Sequence, residues 1–186
     1  MSKLNIEETL LKGVFVVTSD LFKDQRGAFL RLFCNNELSD IIKDRQILQI
    51  NHSRTVSVGA IRGMHYQNLP HAEMKLIRCL RGRVWDVAID LRKGSPTFLK
   101  WYSEELSPEN SKMMIIPEGF AHGFQVLEPN SELLYLHTEI YSPQSESGLR
   151  YNDPLISIDW PLKVTDLSKR DEEHLLLTES FNGLNL

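Results

Sequence analysis

Short apolar runs, most alternating with polar residues and closed within about ten positions by a turn, constrain this chain more than any other feature. They read GVFVVTS (13–19), AFLRLF (28–33), QILQINHS (46–53), MKLIRCL (74–80), RVWDVAIDL (83–91), KMMIIP (112–117), GFQVL (123–127) and ELLYLHTEI (132–140). Turn residues such as Lys93-Gly94-Ser95-Pro96, Pro117-Glu118-Gly119 and Glu128-Pro129-Asn130 separate them. Alternation places successive side chains on opposite faces of a strand, and many short strands at this spacing predict an antiparallel sandwich or barrel. Two short helices fit beside it, one within NELSDIIKD (36–44) and one starting at Ser168 in LSKRDEEH. In the second, Asp171 falls at the third helical position of a capping box. With 186 residues, 41% of them hydrophobic, and no repeat or linker, the chain is read as one domain spanning residues 1–186.

A formal net charge of -4 argues against a general nucleic-acid or anionic-membrane surface, because those partners select a basic field. Any anionic ligand must then be held by local arginines. The two cysteines, Cys34 and Cys79, lie in apolar runs without metal-ligand spacing and are read as buried thiols. The start MSKLNIEETLLKG lacks a basic segment followed by an apolar one, and no apolar run reaches the roughly 20 residues that span a bilayer. A cytoplasmic protein is the expectation, so the sequon Asn51-His52-Ser53 carries no weight.

The stretch IRGMHYQNLPHAEMKLIRCLRG (61–82) alternates like a strand yet holds His65, His71, Lys75 and three arginines. Within RVWDVAIDL, Val84, Asp86, Ala88 and Asp90 share one face and Trp85, Val87, Ile89 and Leu91 the other, so one face mixes acids with small apolar residues. Tyr135, His137 and Tyr141 share one parity. Taken singly, each of these has an ordinary structural reading: His65 a hydrogen-bonded strand histidine, Tyr135 a core aromatic, Lys75 a solvated edge residue, Asp171 a helix cap, Arg26 and Arg62 surface charges. His52, His71, His137 and His174 are read as structural or surface groups.

Taken together, GAIRGMHYQ, Lys75, GRVWDVAIDLRKGSPTF, IPEGFAHGF, YSPQSESGLRYNDP, IDWPL and LSKRD resemble the dTDP-4-dehydrorhamnose 3,5-epimerases, a cupin-fold family of nucleotide-sugar epimerases. The resemblance runs from about Lys12 to Asp171 with the motifs in family order. It implies an all-β cupin jelly roll with a few short peripheral helices, neither cofactor nor metal, and epimerisation at C3 and C5 of a nucleoside-diphosphate 4-keto-6-deoxy hexose. The reaction so implied takes dTDP-4-dehydro-6-deoxy-D-glucose to dTDP-4-dehydro-L-rhamnose in deoxysugar supply for polysaccharide or a glycosylated metabolite. Such chemistry needs a base, a group to hold the enolate oxygen and an acid across the ring.

By the same resemblance His65 is the base, Asp171 the carboxylate that orients it, Lys75 the enolate stabiliser and Tyr135 the acid. Tyr141 lines the sugar pocket, Arg26 and Arg62 bind the diphosphate, and Gln49, Asn51 and His122 occupy further pocket positions. One position departs from the pattern. RGAFLRLF carries Arg31 where the family has a glutamate that recognises thymine, and an arginine can donate but not accept. The family's homodimers exchange N-terminal strands, which would carry Arg26 and Arg31 to a partner's site. Other readings are a single-centre C3 or C5 epimerase on a dTDP or other nucleoside-diphosphate sugar, a 3,4-ketoisomerase, a metal-dependent cupin oxygenase using His65, His122 and Glu73, and a non-catalytic sugar-binding cupin. An oxygenase lacks a ligand here, because the HxH that supplies two imidazoles reads His65-Tyr66-Gln67.

Overall fold

A computed structural model describes residues 3–186. Its strands are β1 (Leu4–Glu8), β2 (Phe15–Ser19), β3 (Phe22–Asp24), β4 (Gly27–Phe29), β5 (Gln49–Thr55), β6 (Ile61–Gln67), β7 (Lys75–Arg81), β8 (Val84–Asp90), β9 (Trp101–Leu106), β10 (Lys112–Ile116), β11 (Phe120–Val126), β12 (Ser131–His137) and β13 (Glu146–Gly148). The helices are α1 (Ser39–Ile42) and α2 (Lys169–Glu173).

Six strands form one antiparallel sheet in the order β1-β2-β10-β7-β12-β5, and five form a second in the order β13-β6-β11-β8-β9. The expected sandwich is therefore present, a jelly roll of the cupin kind. Alternation explains why the sheets pack. On β8, Val84 and Ala88 join Ile77, Phe124, Val126 and Leu133 in one buried cluster, whereas Val87 and Ile89, with Leu91 just past the strand, join a second one closed by Ile156, Trp160 and Phe181. Each such side chain, when fully buried, contributes roughly 1.5–3 kcal/mol of transfer free energy, so a two-faced strand ties the sandwich to the C-terminal segment.

Lys75 departs from its edge reading: β7 lies between β10 and β12, and the lysine is buried. The run 28–33 yields only β4, in a separate two-stranded hairpin with β3, while Phe33 leaves the strand to pack against the cluster around Leu38 and Met113. Helix α2 starts as the capping pattern requires, since Ser168 Oγ accepts the Asp171 backbone N–H at 3.1 Å. The acidic side chain does not complete the box. It turns inward, where only 2% of the residue is exposed.

Candidate active site

Glycine determines how the first wall of the site is built. A Cβ on Gly63 would sit 2.5 Å from the Gly123 Cα and 2.8 Å from the His122 carbonyl oxygen, and the residue has φ +126°. Only glycine lets β6 approach β11 this closely. That approach puts His65 opposite His122 in the register and leaves the Gly63 N–H free to donate to Asp171 Oδ2 at 3.2 Å. Asp171 Oδ1 lies 2.7 Å from His65 Nε2. Burial raises the Asp171 carboxyl, but the hydrogen bond and charge of His65, with the Gly63 and Ser168 contacts, outweigh it and hold it below the usual carboxylate value. The contact orients the imidazole through Nε2, an arrangement in which the other ring nitrogen can exchange a proton.

The second wall comes from the six-stranded sheet. Lys75 on β7, Tyr135 and His137 on β12, and Asn51 and Ser53 on β5 line the same cavity of about 580 Å³ as His65 and Asp171. Lys75 Nζ stands 2.8 Å from Glu73 Oε1 and donates to the His65 carbonyl oxygen at 3.4 Å, so the ammonium bridges the two walls. Tyr135 is packed so closely that burial pushes its phenol well above the ordinary tyrosine value. Arg62 enters the cavity from β6, with its Nε donating to Thr55 Oγ1 at 2.8 Å.

The cavity thus gathers His65, Asp171, Lys75, Tyr135, Asn51, Arg62, His122 and Tyr141. His122 pairs with Asp86 at 2.8 Å, and burial raises that carboxyl. Asp90, on the same face of β8, instead anchors a turn through Arg92, Ser95 and Thr97. Tyr141 lies beyond the end of β12 and donates its hydroxyl to Glu146 at 2.8 Å, so the shared parity holds only for Tyr135 and His137.

Three expected positions lie elsewhere. Gln49 stands outside the lining and uses Oε1 to accept the Tyr141 backbone N–H at 3.0 Å. Arg26 pairs with Asp24 on the exposed β3–β4 hairpin, and Arg31 pairs with Glu37. Neither arginine lines this chain's cavity.

His137, read as structural from the sequence, belongs to the lining, with Nδ1 2.7 Å from Glu73 Oε2. Its parity with Tyr135 was the available signal; the Glu73 contact was not visible without the fold. Arg170 also lines the cavity, held by Glu146 at 3.0 Å. His65, His122 and Glu73 are each engaged with a different partner, Asp171, Asp86 and the Lys75–His137 pair. Among the described residues, the ligand atoms that converge within 4.8 Å of one another belong to His65, Asp171 and His174.

A family model described as dTDP-4-dehydrorhamnose 3,5-epimerase matches residues 8–179. The chain is 40% identical over 169 residues to the dTDP-4-dehydrorhamnose 3,5-epimerase of Shigella flexneri, covering 90% of this chain and 93% of that one. It is 35% identical over 171 residues to a dTDP-4-dehydrorhamnose 3-epimerase of Streptomyces niveus, covering 91% and 82%. The crystal structure of the dTDP-6-deoxy-D-glucose-3,5-epimerase of Legionella pneumophila in complex with dTDP-4-keto-L-rhamnose superimposes with a TM-score of 0.88 at 38% identity, covering 94% of this chain and 93% of that one.

Proposed function

The chain belongs to the dTDP-4-dehydrorhamnose 3,5-epimerase family, and on that premise we propose how its cavity converts dTDP-4-dehydro-6-deoxy-D-glucose to dTDP-4-dehydro-L-rhamnose. The observation that carries the proposal is the His65–Asp171 pair set across one cavity from Lys75 and Tyr135.

The 4-ketone makes the hydrogens on C3 and C5 weakly acidic. His65 takes one of them, the electron pair moves to the C4 oxygen, and Asp171 stabilises the imidazolium while holding the ring in place. Lys75 faces the oxygen on which charge develops, where a cation lowers the barrier more than it tightens ground-state binding. Tyr135, on the opposite wall, returns a proton to the other side of the carbon. Arg62 takes the diphosphate, for which a guanidinium fork is well shaped. Asn51, His122 and Tyr141 complete the sugar pocket, and Gln49 acts through the Tyr141 backbone that it holds.

Proton NMR of the 4-keto-6-deoxy-glucose nucleotide in deuterium oxide tests the reading. Loss of both the C3 and C5 signals, with capture of the rhamno product by a 4-keto reductase, supports inversion at two centres. Exchange at C3 alone would favour the single-centre reading, for which the 3-epimerase relative is the specific motive. No exchange on thymidine, uridine or guanosine diphosphate sugars would remove the enzyme reading.

Tyr135→Phe is expected to slow net inversion by about 10²- to 10³-fold while wash-out of the substrate protons continues, because the base survives when the acid is lost. Parallel NMR time courses of exchange and product measure the two rates. Inversion at the parent rate would remove Tyr135 from the role.

A homodimer in the cytoplasm is part of the same reading. Its support is an outer strand β5 with Ile50 63% exposed and a detached hairpin with Phe29 69% exposed, surfaces that strand exchange would cover. In that arrangement Arg26 and Arg31 serve the neighbouring cavity, with Arg31 donating to base carbonyls. Both cysteines are free, and no helix among the described residues is long and apolar enough to cross a membrane. Sedimentation should give twice the chain mass, and Arg26→Ala should raise KM for the nucleotide sugar about tenfold with kcat little changed. A monomer with full activity would exclude this part of the reading.

A further inference from the structure

On the epimerase reading, we propose that His137 and Glu73 form a second imidazole–carboxylate pair, facing His65 and Asp171, and that His137 is a positioning residue whose positive charge frees Lys75 to stabilise the enolate.

Lys75 and His137 are direct partners across the β7–β12 ladder, so their side chains leave the sheet together on the cavity side. Both converge on one carboxylate: Glu73 Oε1 lies 2.8 Å from Lys75 Nζ, and Oε2 lies 2.7 Å from His137 Nδ1. All three side chains are at most 10% exposed. Water therefore screens the group poorly, and its net charge matters to anything bound beside it.

Lys75 with Glu73 alone is a neutral pair. Seen from an enolate oxygen, most of the attraction of the ammonium is cancelled by a carboxylate a few ångströms behind it. A protonated His137 on the second oxygen brings the group to a single positive charge, the complement of a single enolate. Burial would raise Glu73, but the contacts with His137 and Lys75 outweigh it and hold the carboxyl below its usual value, so Glu73 remains an anion in contact with both side chains.

The other groups around His137 fit a charge there. The Asn51 amide nitrogen Nδ2 lies 3.4 Å from His137 Nε2, and half a turn of the amide would present its oxygen to an imidazolium instead. Tyr135 stacks on the imidazole at 5.9 Å with the rings 14° apart, so the same charge eases phenolate formation in a phenol that burial otherwise disfavours. The titratable groups facing His137 are thus Glu73 and Lys75 from β7 and the turn before it, and Tyr135 on its own strand; the remainder of the cavity carries others that include His65, Asp171, His122 and Arg170. No atom is gained or lost by His137 or Glu73 in the reaction: His65 takes the carbon-bound proton and Tyr135 supplies its replacement.

The test is a charge-rescue pair in the full chain, read as solvent exchange and product formation on the 4-keto-6-deoxy sugar nucleotide. His137→Gln keeps a donor to Glu73 without the charge and should lower kcat about 10- to 100-fold with KM changed much less. Adding Glu73→Gln to it should return most of the lost kcat, because Lys75 then has no counter-charge to overcome; thermal melting of each variant shows that both are folded. A structural role for His137 predicts the reverse, a double variant worse than the single one. Parent-like kcat in His137→Gln, or no recovery in the double variant, overturns the inference while leaving the epimerase reading intact. A parent protein without exchange on any 4-keto sugar nucleotide overturns both.

Discussion

Replacing His65 with alanine is expected to lower solvent deuterium exchange at C3 and at C5 together, by about 10³- to 10⁴-fold. The coupled loss follows from geometry. Within the cavity His65 is the imidazole whose ring is fixed by the carboxylate of Asp171, while His122 is held by buried Asp86 and His137 shares Glu73 with Lys75. On the proposed reading a single base serves both carbons, which requires the sugar to present each in turn. Exchange followed by NMR at the two positions decides the matter directly. Loss at one carbon with normal exchange at the other would mean that a second base serves that centre, and retention at both would remove His65 from the chemistry.

Asp171→Asn should cost about 10³- to 10⁴-fold in kcat with a smaller change in KM, because an amide can hold the imidazole but cannot stabilise it when charged. The same substitution has a pH signature. The Asp171 carboxyl is held below its ordinary value in the folded chain, so it contributes stability in full above the unfolded carboxylate pKa of about 3.9, and that contribution disappears as pH falls through the lower folded value. Melting temperatures from neutral pH down to about pH 3 should therefore fall less steeply in Asp171→Asn than in the parent. Parallel curves would show that the carboxylate gains nothing from His65 and Gly63 in the fold, and parent-like kcat would separate it from the base.

Several parts of the fold and the site are legible in the chain's local patterns. Alternation in RVWDVAIDL separates the two apolar faces of β8 correctly because a strand repeats every two residues regardless of what packs on it. The Ser168 cap is legible for a similar reason, since capping is a contact between residues three apart. Local pattern does not give neighbours in space. Lys75 reads as an edge residue in HAEMKLIR, yet β10 and β12 flank its strand. Arg26 and Arg31, expected to reach a partner's site by strand exchange, pair with Asp24 and Glu37 outside this chain's cavity.

The layered β architecture, the family and the residue types that epimerisation requires are readable along the chain, since these rest on local periodicity and on motifs in order. Which partner each acid meets is set by the folded sheets. Asp171 reaches His65 across 106 positions, Glu73 reaches His137 across 64, and Asp90 closes a turn on Arg92. The type of a carboxylate is a property of the chain, but its role depends on the partner that the sheets bring to it, and that pairing is made by long-range packing.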